Sequence, residues 1–524
     1  MASTAVLVQT PAWGTGCPPL GIAALKSYLE ARGHRIRAVD LNLQFFHAAS
    51  DALKEQWAPD RHQFWLDPDR VRGVLEGELG DYARFCVAQI LESKPRVVGF
   101  TVLFSTEHSV LWLARKIKEA DPRCLIVCGG PQAGREAAGE RLLDSQVVDC
   151  VVLGEGEESL NELLEKAEAG EDLATCRGLL LRRNGRIVET APRPLLPDLT
   201  ALPPADFSDF FMNSYTHAGM IPVSLSRGCP NTCAYCSEVT YWQRFRVRKA
   251  ESLLSELRLQ RERIPGLDSV TFHDSLVNGH MGELLRFAQG LVDEGAPIDW
   301  HGQAVIRKEM TRGALDLLRK SGCRSLTYGL ETGSFSLMLK MGKLLAKGSD
   351  PDRIVRDTRE AGIDCGLFFM TGYPGETEAD FQMTLDFVGR NKDWISFVSP
   401  SAGFCDFHPG TRGHAHPDDF GIELREGSAH WVSKDGSNTY LTRLERFERF
   451  LDFVHDLKVP CAYPHRRLHL RNTIIGNYHY VYGQFELAVP YLQKAVDEEP
   501  PDETNVQRLA ECLARRRETA AHAS

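Results

Sequence analysis

Short apolar segments alternate with helical segments along most of this 524-residue chain, and this alternation constrains the fold more than any other feature. The first such segments predict strands at residues 5–9, 35–39, 96–100, 124–128 and 148–153. Strands that alternate with helices favour a parallel sheet covered by helices on both faces, with ligands at the carboxyl ends of the strands. We therefore predict a doubly wound, Rossmann-like α/β domain over residues 1–190.

An Asn184-Gly185 turn closes that domain, and the alternation then begins again. Asn-Gly supplies the positive φ angles of a two-residue hairpin turn, and the proline-rich residues 191–220 favour an extended linker. Six more strands are predicted near residues 221–226, 268–273, 298–305, 324–330, 363–370 and 395–400. Six strand–helix repeats predict a (β/α)6 partial TIM barrel over residues 221–400, with its chemistry at the carboxyl ends of the strands.

Three closely spaced cysteines follow the first strand of the predicted barrel. Cys229, Cys233 and Cys236 form a C-x-x-x-C-x-x-C run. Three thiolates can hold three irons of a four-iron cluster and leave the fourth iron open. The alternatives are three core cysteines on one helical face and a structural zinc site. Gly228 and Pro230 disfavour a helix here, and a closed zinc site takes four ligands, so we expect a [4Fe-4S] cluster on a loop.

This cysteine run, with Tyr235 before its last cysteine, resembles the radical S-adenosylmethionine (SAM) superfamily. The resemblance implies that the open iron binds SAM and that residues at the ends of the barrel strands contact it. These candidates are Tyr235, Asp274, Gln303, Arg307, Glu331, Gly372 and Gly375. It implies that Asp274 contacts the amino group, Arg307 the carboxylate and Glu331 the ribose. The two glycines would let the backbone approach the adenine. For the polar residues, a helix cap or surface turn is the alternative.

Two elements of the first domain are similar to the cobalamin-binding signature: Thr101-x-Leu103 and Gly129-Gly130. Together with the cysteine run they resemble the cobalamin-dependent radical SAM enzymes. This resemblance implies cobalamin contacts at Thr101, Leu103, Gly129, Gly130, Pro131, Gly154, Glu155 and Gly156. A simple turn is the alternative for the glycine pair. The D-x-H-x-x-G element that supplies a cobalt-ligating histidine is absent, so we expect no protein histidine beneath the cobalt.

Residues 401–524 are predicted to form a mostly helical domain that shapes the substrate pocket. Tyr482–Ala488, with Ala495 and Pro500, resembles one tetratricopeptide unit. A single repeat does not bury its own apolar face, so it is expected to dock on the rest of the chain or on a partner. Cys405 is a candidate hydrogen-atom donor or extra ligand, with packing as the alternative.

Composition excludes some classes of protein. A net charge of −10 argues against a general nucleic-acid binder. No apolar stretch approaches the length of a membrane span, and the first residues lack the pattern of a signal peptide. Apart from the run of three, the 14 cysteines are scattered, which is typical of reduced thiols. We therefore expect a cytoplasmic protein.

The resemblance implies an enzyme that methylates an unactivated carbon through a 5'-deoxyadenosyl radical and methylcobalamin. Two alternatives stay open: a radical rearrangement, ring closure or ring contraction with the same cofactors, and a non-catalytic cobalamin sensor or adaptor. The expected partners are a small-molecule or peptide substrate and an electron donor such as flavodoxin or ferredoxin. The sequence contains no motif that identifies the substrate.

Overall fold

A computed structural model describes residues 4–401, 404–425, 427–468, 470–499 and 502–522. Pro500 of the predicted tetratricopeptide-like unit lies outside these residues. The chain divides into two compact units, residues 1–228 with 241–301 and residues 229–240 with 302–524.

The first sheet has seven strands in the order β2-β1-β3-β4-β5-β6-β7. They are β1 Thr4–Gln9, β2 Arg35–Asp40, β3 Val97–Thr101, β4 Leu125–Gly129, β5 Cys150–Val152, β6 Leu179–Arg183 and β7 Arg186–Glu189. Strands β1 to β5 are parallel, whereas β6 and β7 pair antiparallel at one edge. The doubly wound domain is confirmed, and the predicted hairpin extends its sheet as an antiparallel edge.

Eight α-helices accompany this sheet among the described residues. They are α1 Leu20–Glu30, α2 Leu41–Ala48, α3 Asp51–Lys54, α4 Pro68–Glu76, α5 Gly80–Glu92, α6 Glu107–Ala120, α7 Glu140–Asp144 and α8 Gly156–Ala169. Strand β1 is buried along nearly its whole length, as expected for an apolar run in a sheet covered on both faces. The strand order reverses between β1 and β3, which provides a crevice for ligands at their carboxyl ends.

The second large sheet has six strands in the order β8-β11-β12-β13-β14-β15. This part of the chain contains β8 Met220–Val223, β9 Ser226–Arg227, β10 Arg246–Val247, β11 Ser269–Phe272, β12 Asp299–Ala304, β13 Cys323–Glu331, β14 Asp364–Phe369 and β15 Phe397–Pro400. Each strand lies beside the next in the chain, as in a partial barrel. Strands β9 and β10 form a separate antiparallel ribbon that sequence analysis did not predict.

Helices separate the strands of the second sheet, as the alternation predicts. They are α9 Ser237–Trp242, α10 Ala250–Arg263, α11 Met281–Asp293, α12 Arg312–Lys320, α13 Phe335–Met341, α14 Pro351–Glu360 and α15 Glu378–Asn391. Helix α15 begins with a capping box in which Thr377 and Asp380 satisfy each other's backbone N–H groups. The predicted (β/α)6 architecture is therefore confirmed.

The last part of the chain is mostly helical, as predicted. Its elements are α16 Arg412–Ala415, β16 Ile422–Arg425, β17 Gly427–Ser433, α17 Tyr440–Asp456, α18 Arg471–Val481, α19 Phe485–Glu498 and α20 Glu503–His522. Helices α18, α19 and α20 pack in succession around buried Ala488, Leu492, Leu509 and Cys512. Helices of the same chain thus cover an apolar face of the tetratricopeptide-like unit. In the part of the chain that the structure describes, no helix is both long and apolar enough to cross a bilayer.

Candidate active site

The three predicted cluster ligands lie on one loop between β9 and α9. The loop is held by the chain just after α13, where the Gly342 carbonyl accepts a hydrogen bond from Thr232 N at 3.0 Å. Gly342 has φ +97°, and a Cβ there would lie 2.5 Å from the Thr232 carbonyl oxygen. Only glycine permits this approach. The cysteine loop is therefore fixed against a second element that follows the fourth barrel strand.

Cys233 of this loop is buried, and Cys229 and Cys236 are half-buried. Burial raises the pKa of Cys229 to about 11 and that of Cys236 to about 12, so both keep their protons until a metal replaces them. Among the described residues, no three His, Cys, Asp or Glu side chains stand close enough to bind one metal ion. Sulfurs around one zinc would be about 3.8 Å apart, given Zn–S bonds of about 2.3 Å. A four-iron cluster would instead take each of the three thiolates on a different iron.

Glu331 ends β13 in a backbone conformation that non-glycine residues seldom take. Its φ is +69°, and the register between β13 and β14 shifts between Gly329 and Glu331. Such bulges redirect side chains beside active sites. Glu331 Oε1 accepts a hydrogen bond from Lys343 Nζ at 2.9 Å, and the same ammonium donates to the Gly329 carbonyl at 2.8 Å. The contact of Glu331 with the ribose stays a prediction.

Lys343 is a charged residue of this site that sequence analysis missed. Its side chain is 8% exposed. Burial alone would lower its pKa, but the Glu331 carboxylate and the nearby Cys233 raise it, so the ammonium stays charged. In the sequence it follows a glycine just past a helix, which is typical of a surface position. Only the fold brings its charge to the cysteine loop.

Asp274 follows β11 and binds the chain just before the cysteine loop. One carboxylate oxygen accepts from Leu225 N at 2.9 Å, and the other accepts from both the backbone N and the Oγ of Ser226 at 2.5 Å. Burial raises the pKa of Asp274 to about 6. Both carboxylate oxygens of Asp274 thus already accept hydrogen bonds from residues of this chain. The contact between Asp274 and the SAM amino group stays a prediction.

Three other SAM candidates differ in their surroundings. Tyr235 packs edge-on against Tyr373, with ring centroids 6.3 Å apart. Gln303 lies near the end of β12 and is exposed. Arg307 is mostly buried, and its Nε donates to Glu309 at 2.9 Å. Their contacts with SAM stay predictions.

Gly372 follows β14, and the fold requires a glycine at this position. A Cβ there would lie 2.1 Å from Arg443 Cγ, and φ is +80°. Its N–H donates to the buried Glu376 carboxylate at 2.7 Å, and its carbonyl accepts from Asn438 at 3.1 Å. Gly375 also has a positive φ, but a Cβ there would meet open space. An approach of adenine to this loop stays a prediction, because packing against Arg443 already explains Gly372.

Cys405 is fully buried within an apolar cluster that includes Tyr373, Phe407 and Trp431. Its carbonyl accepts from Trp431 Nε1 at 2.6 Å, and burial raises the pKa of its thiol well above the usual range. Such surroundings suit packing, while its role as a hydrogen-atom donor stays a prediction. The next residue, Asp406, has a buried carboxylate oxygen without a hydrogen-bond partner among the described residues.

The predicted cobalamin residues lie at the carboxyl ends of β3, β4 and β5. Thr101, Leu103 and Gly129 are partly exposed, and Pro131 is exposed. Gly130 has φ +108°, and a Cβ there would lie 3.0 Å from the Val102 carbonyl oxygen. The glycine pair therefore lets the loops after β3 and β4 pack together. Small residues on an exposed sheet edge suit a large cofactor, and the residue contacts stay predictions.

Two large apolar side chains that were not among our site predictions lie at the same edge. Trp13, in the loop after β1, is 40% exposed, and Phe104, after β3, is 48% exposed. Exposed aromatic surface at the crevice of a doubly wound sheet suits a broad ligand such as a corrin ring. Nε2 of His34 bonds to Asn161, and Nε2 of His108 bonds to the Leu66 carbonyl. The absence of a protein histidine beneath the cobalt stays a prediction.

The Gly154-Glu155-Gly156 turn differs from the other cobalamin candidates because it binds two arginines. Glu155 accepts hydrogen bonds from Arg227 at 2.6 Å and from Arg246 at 2.8 Å. Gly154 adopts φ +71°, and a Cβ on Gly156 would press against a side chain of α1 at 3.2 Å. The Glu155 carboxylate therefore already accepts hydrogen bonds from two arginines of this chain.

Comparisons with known proteins agree with this description. Residues 223–388 match the family model of the Radical SAM superfamily, and residues 85–164 match the B12 binding domain. An uncharacterized methyltransferase of Pyrococcus horikoshii is 24% identical over 345 residues, which cover 65% of this chain and 73% of the relative. The anaerobic magnesium-protoporphyrin IX monomethyl ester cyclase of Cereibacter sphaeroides is 25% identical over 326 residues, 59% of this chain and 52% of the cyclase.

Among solved structures, the radical SAM methyltransferase TsrM from Kitasatospora setae shares the fold. Its structure with cobalamin and a [4Fe-4S] cluster superposes with a TM-score of 0.62 at 17% identity, over 87% of this chain and 89% of TsrM. The chain thus combines a B12-binding sheet, a radical SAM barrel and the three-cysteine loop. Residues 223–388 thus belong to the Radical SAM superfamily and residues 85–164 to the B12 binding domains, a combination that supports a cobalamin-dependent radical SAM enzyme with a [4Fe-4S] cluster, SAM and cobalamin as cofactors.

Proposed function

We propose that this enzyme transfers a methyl group to an unactivated carbon of a small molecule. The observation that carries the proposal is the presence, in one chain, of a three-cysteine loop and a B12-binding sheet edge without the histidine motif of classical cobalamin proteins. Two of the relatives described above are methyltransferases, which supports methyl transfer. When bound, the reduced cluster with SAM supplies a 5'-deoxyadenosyl radical, and methylcobalamin supplies the methyl group.

The chain itself contributes ligands, charge and exclusion of water. Cys229, Cys233 and Cys236 would hold three irons as thiolates. The Lys343 ammonium lies within electrostatic range of this loop and favours thiolate there. We assign Glu331 as the acceptor for the ribose hydroxyls, since a carboxylate accepts two hydrogen bonds well. The closely packed aromatic cluster around Cys405 keeps water from this side of the loop, which protects reactive intermediates.

A ring-forming or rearrangement reaction is the second candidate, and the similarity to a cyclase is the observation that favours it. The chain spans about half the length of that cyclase. A non-catalytic cobalamin sensor is less consistent with the three-cysteine loop, because a sensor has no need for an iron that is open to substrate.

Four further assignments accompany this proposal. An electron donor such as flavodoxin or ferredoxin reduces the cluster, and residues 401–524 shape the substrate pocket. The enzyme works in the reducing cytoplasm, which the scattered free cysteines favour. The domain limits are residues 1–190, 191–220, 221–400 and 401–524.

The release of S-adenosylhomocysteine distinguishes the candidates without knowledge of the substrate. Reconstituted protein is mixed anaerobically with cob(I)alamin and SAM, with a cobalamin-free sample as the control. A methyltransferase forms one S-adenosylhomocysteine per bound cobalamin and shows the spectrum of methylcobalamin. An enzyme that forms 5'-deoxyadenosine after reduction but no S-adenosylhomocysteine fits the second candidate, and a protein that forms neither product fits the sensor.

A further inference from the structure

The loop that carries the three cysteines is closed at its base by the β9–β10 ribbon. Arg227 of β9 lies directly opposite Arg246 of β10, and residues 228–245 between them contain all three cysteines. Gly228, with φ +80°, permits the closure, because a Cβ there would lie 2.8 Å from the Arg244 carbonyl oxygen. The geometry of the ribbon therefore fixes where the cysteine loop begins and ends.

Without contacts to other elements, this ribbon would be unstable. It has two residues in each strand, and isolated two-stranded ribbons are marginal in water. Its one cross-strand pair of arginines places two positive charges face to face, which is destabilising. Both guanidinium groups are also mostly buried, with 15% and 8% of the side chains exposed. The ribbon therefore needs negative charge from another element.

That charge comes from the loop after β5 in the B12-binding domain. Glu155 Oε1 accepts from Arg227 at 2.6 Å, and Oε2 accepts from Arg246 at 2.8 Å. Glu157 pairs with the other terminal nitrogen of Arg227 at 2.5 Å. Both carboxylates are buried, with 7% and 6% of their side chains exposed. Two arginines and two glutamates thus balance their charges inside the protein.

Other contacts hold the four charges in place. The backbone N–H of Leu196 donates to Glu155 Oε2 at 2.8 Å. Burial alone would raise the pKa of Glu155, but the hydrogen bonds from Arg246 and Arg227 hold it below its usual value. Tyr241, within residues 228–245, donates its hydroxyl to the Gly154 carbonyl at 3.1 Å. The Gly154–Glu157 turn therefore contacts the ribbon and the segment that it closes.

We propose that Glu155 and Glu157 are positioning residues for the iron–sulfur cluster, supplied by the B12-binding domain. They neutralise Arg227 and Arg246 and so keep the base of the cysteine loop closed around the cluster. This turn follows β5 at the same sheet edge as Gly129 and Gly130, where the B12-binding domain would hold cobalamin. This inference rests on the cofactors of the proposed function but assigns the turn to a different task from cobalamin contact.

The test compares Glu155→Gln with Glu158→Gln as a matched control. Glu158 lies in the same turn region but pairs with Arg32 at the surface, with 40% of its side chain exposed. Iron release to a chelator is followed under anaerobic conditions, and cobalamin retention is measured by absorbance on the same samples. We expect Glu155→Gln to release iron about ten-fold faster or more, as the loss of one partner of a buried pair implies. Cobalamin retention should stay at the wild-type level.

Removing the arginine charge that Glu155→Gln leaves unpaired distinguishes a positioning role from a nonspecific loss of the fold. The double variant Glu155→Gln, Arg246→Gln keeps the Arg227–Glu157 pair and should release iron more slowly than Glu155→Gln alone. Electron paramagnetic resonance of the reduced cluster should differ from the wild-type spectrum in Glu155→Gln and match it in Glu158→Gln.

Iron release and resonance at wild-type values in Glu155→Gln would overturn the inference. So would loss of cobalamin with an intact cluster, which would make Glu155 a cobalamin contact. Failure of the wild-type protein to bind either cofactor would instead contradict the proposed function.

Discussion

The buried pair of Glu331 and Lys343 allows structural and ligand-binding roles to be measured separately. Their side chains are 13% and 8% exposed. Glu331→Gln leaves the Lys343 ammonium with neutral acceptors only. Loss of one partner from a fully buried pair costs about 3–5 kcal/mol, and for this slightly exposed pair we expect about 2–4 kcal/mol. Lys343→Met should cost a similar amount, because it leaves the Glu331 carboxylate buried without its cation.

The double variant Glu331→Gln, Lys343→Met removes both charges and should recover most of that loss. Replacement of a buried pair by neutral groups is often close to neutral for stability. Thermal unfolding of the cluster-free proteins measures all three changes. If the double variant loses as much as the sum of the single variants, the two residues are not energetically coupled and this description of the site is wrong.

SAM affinity in the same variants tests the ribose assignment. A charge-assisted hydrogen bond is worth about 1.5–3 kcal/mol, or roughly ten- to a hundred-fold in affinity. Glu331→Gln and the double variant should both lose affinity by isothermal titration, and Glu331→Ala should lose more than Glu331→Gln. Iron content of every sample serves as the control for an intact cluster. Wild-type affinity in the stable double variant would show that Glu331 only supports the fold.

Three further predictions follow from the site. The triple variant in which Ala replaces Cys229, Cys233 and Cys236 should not bind iron after anaerobic reconstitution. The control variant, in which Ala replaces the buried Cys323, should bind iron normally. Unchanged iron content in the triple variant would exclude the loop as the cluster site. The cob(II)alamin form should lack nitrogen superhyperfine splitting in electron paramagnetic resonance, because the sequence lacks the D-x-H-x-x-G element that supplies a cobalt-ligating histidine; such splitting would reveal an axial nitrogen. Burial raises the pKa of Asp406 to about 7 from its usual 3.8. The fold therefore favours the protonated carboxyl, and this contribution to stability is lost as pH rises from about 4 to 7. Asp406→Asn should therefore reduce the fall in melting temperature over that interval, and equal slopes in both proteins would contradict it.

Regular alternation of strands and helices was the most predictable feature of this chain. Most strands of both large sheets lie where apolar runs predict them, because a strand covered on both faces is apolar on both faces. The exposed β7 was predicted instead from the Asn184-Gly185 turn. The β9–β10 ribbon and the β16–β17 pair were missed. Arginines on short strands give no apolar signal, and the ribbon owes its stability to Glu155, which is far away in the sequence.

The site was predictable to the extent that local spacing determines it. The three cysteines are close in sequence, so their pattern was visible. Lys343 was not, since its burial depends on the packing of the chain after α13 against the cysteine loop. Likewise, the sequence suggested that Gly372 leaves room for a ligand, whereas the fold places Arg443 against it. Long-range packing decides such roles, and one sequence does not reveal it.

The most direct test of methyl transfer follows the methyl group itself. Cells that carry the wild-type gene are fed methionine with a trideuterated methyl group, and their metabolites are compared by mass spectrometry with those of a Cys229→Ala strain. The proposed function predicts a product that carries the intact trideuterated methyl group on carbon and that is absent from the variant strain. A product that depends on Cys229 but contains no deuterium would contradict methyl transfer and favour a rearrangement or ring closure.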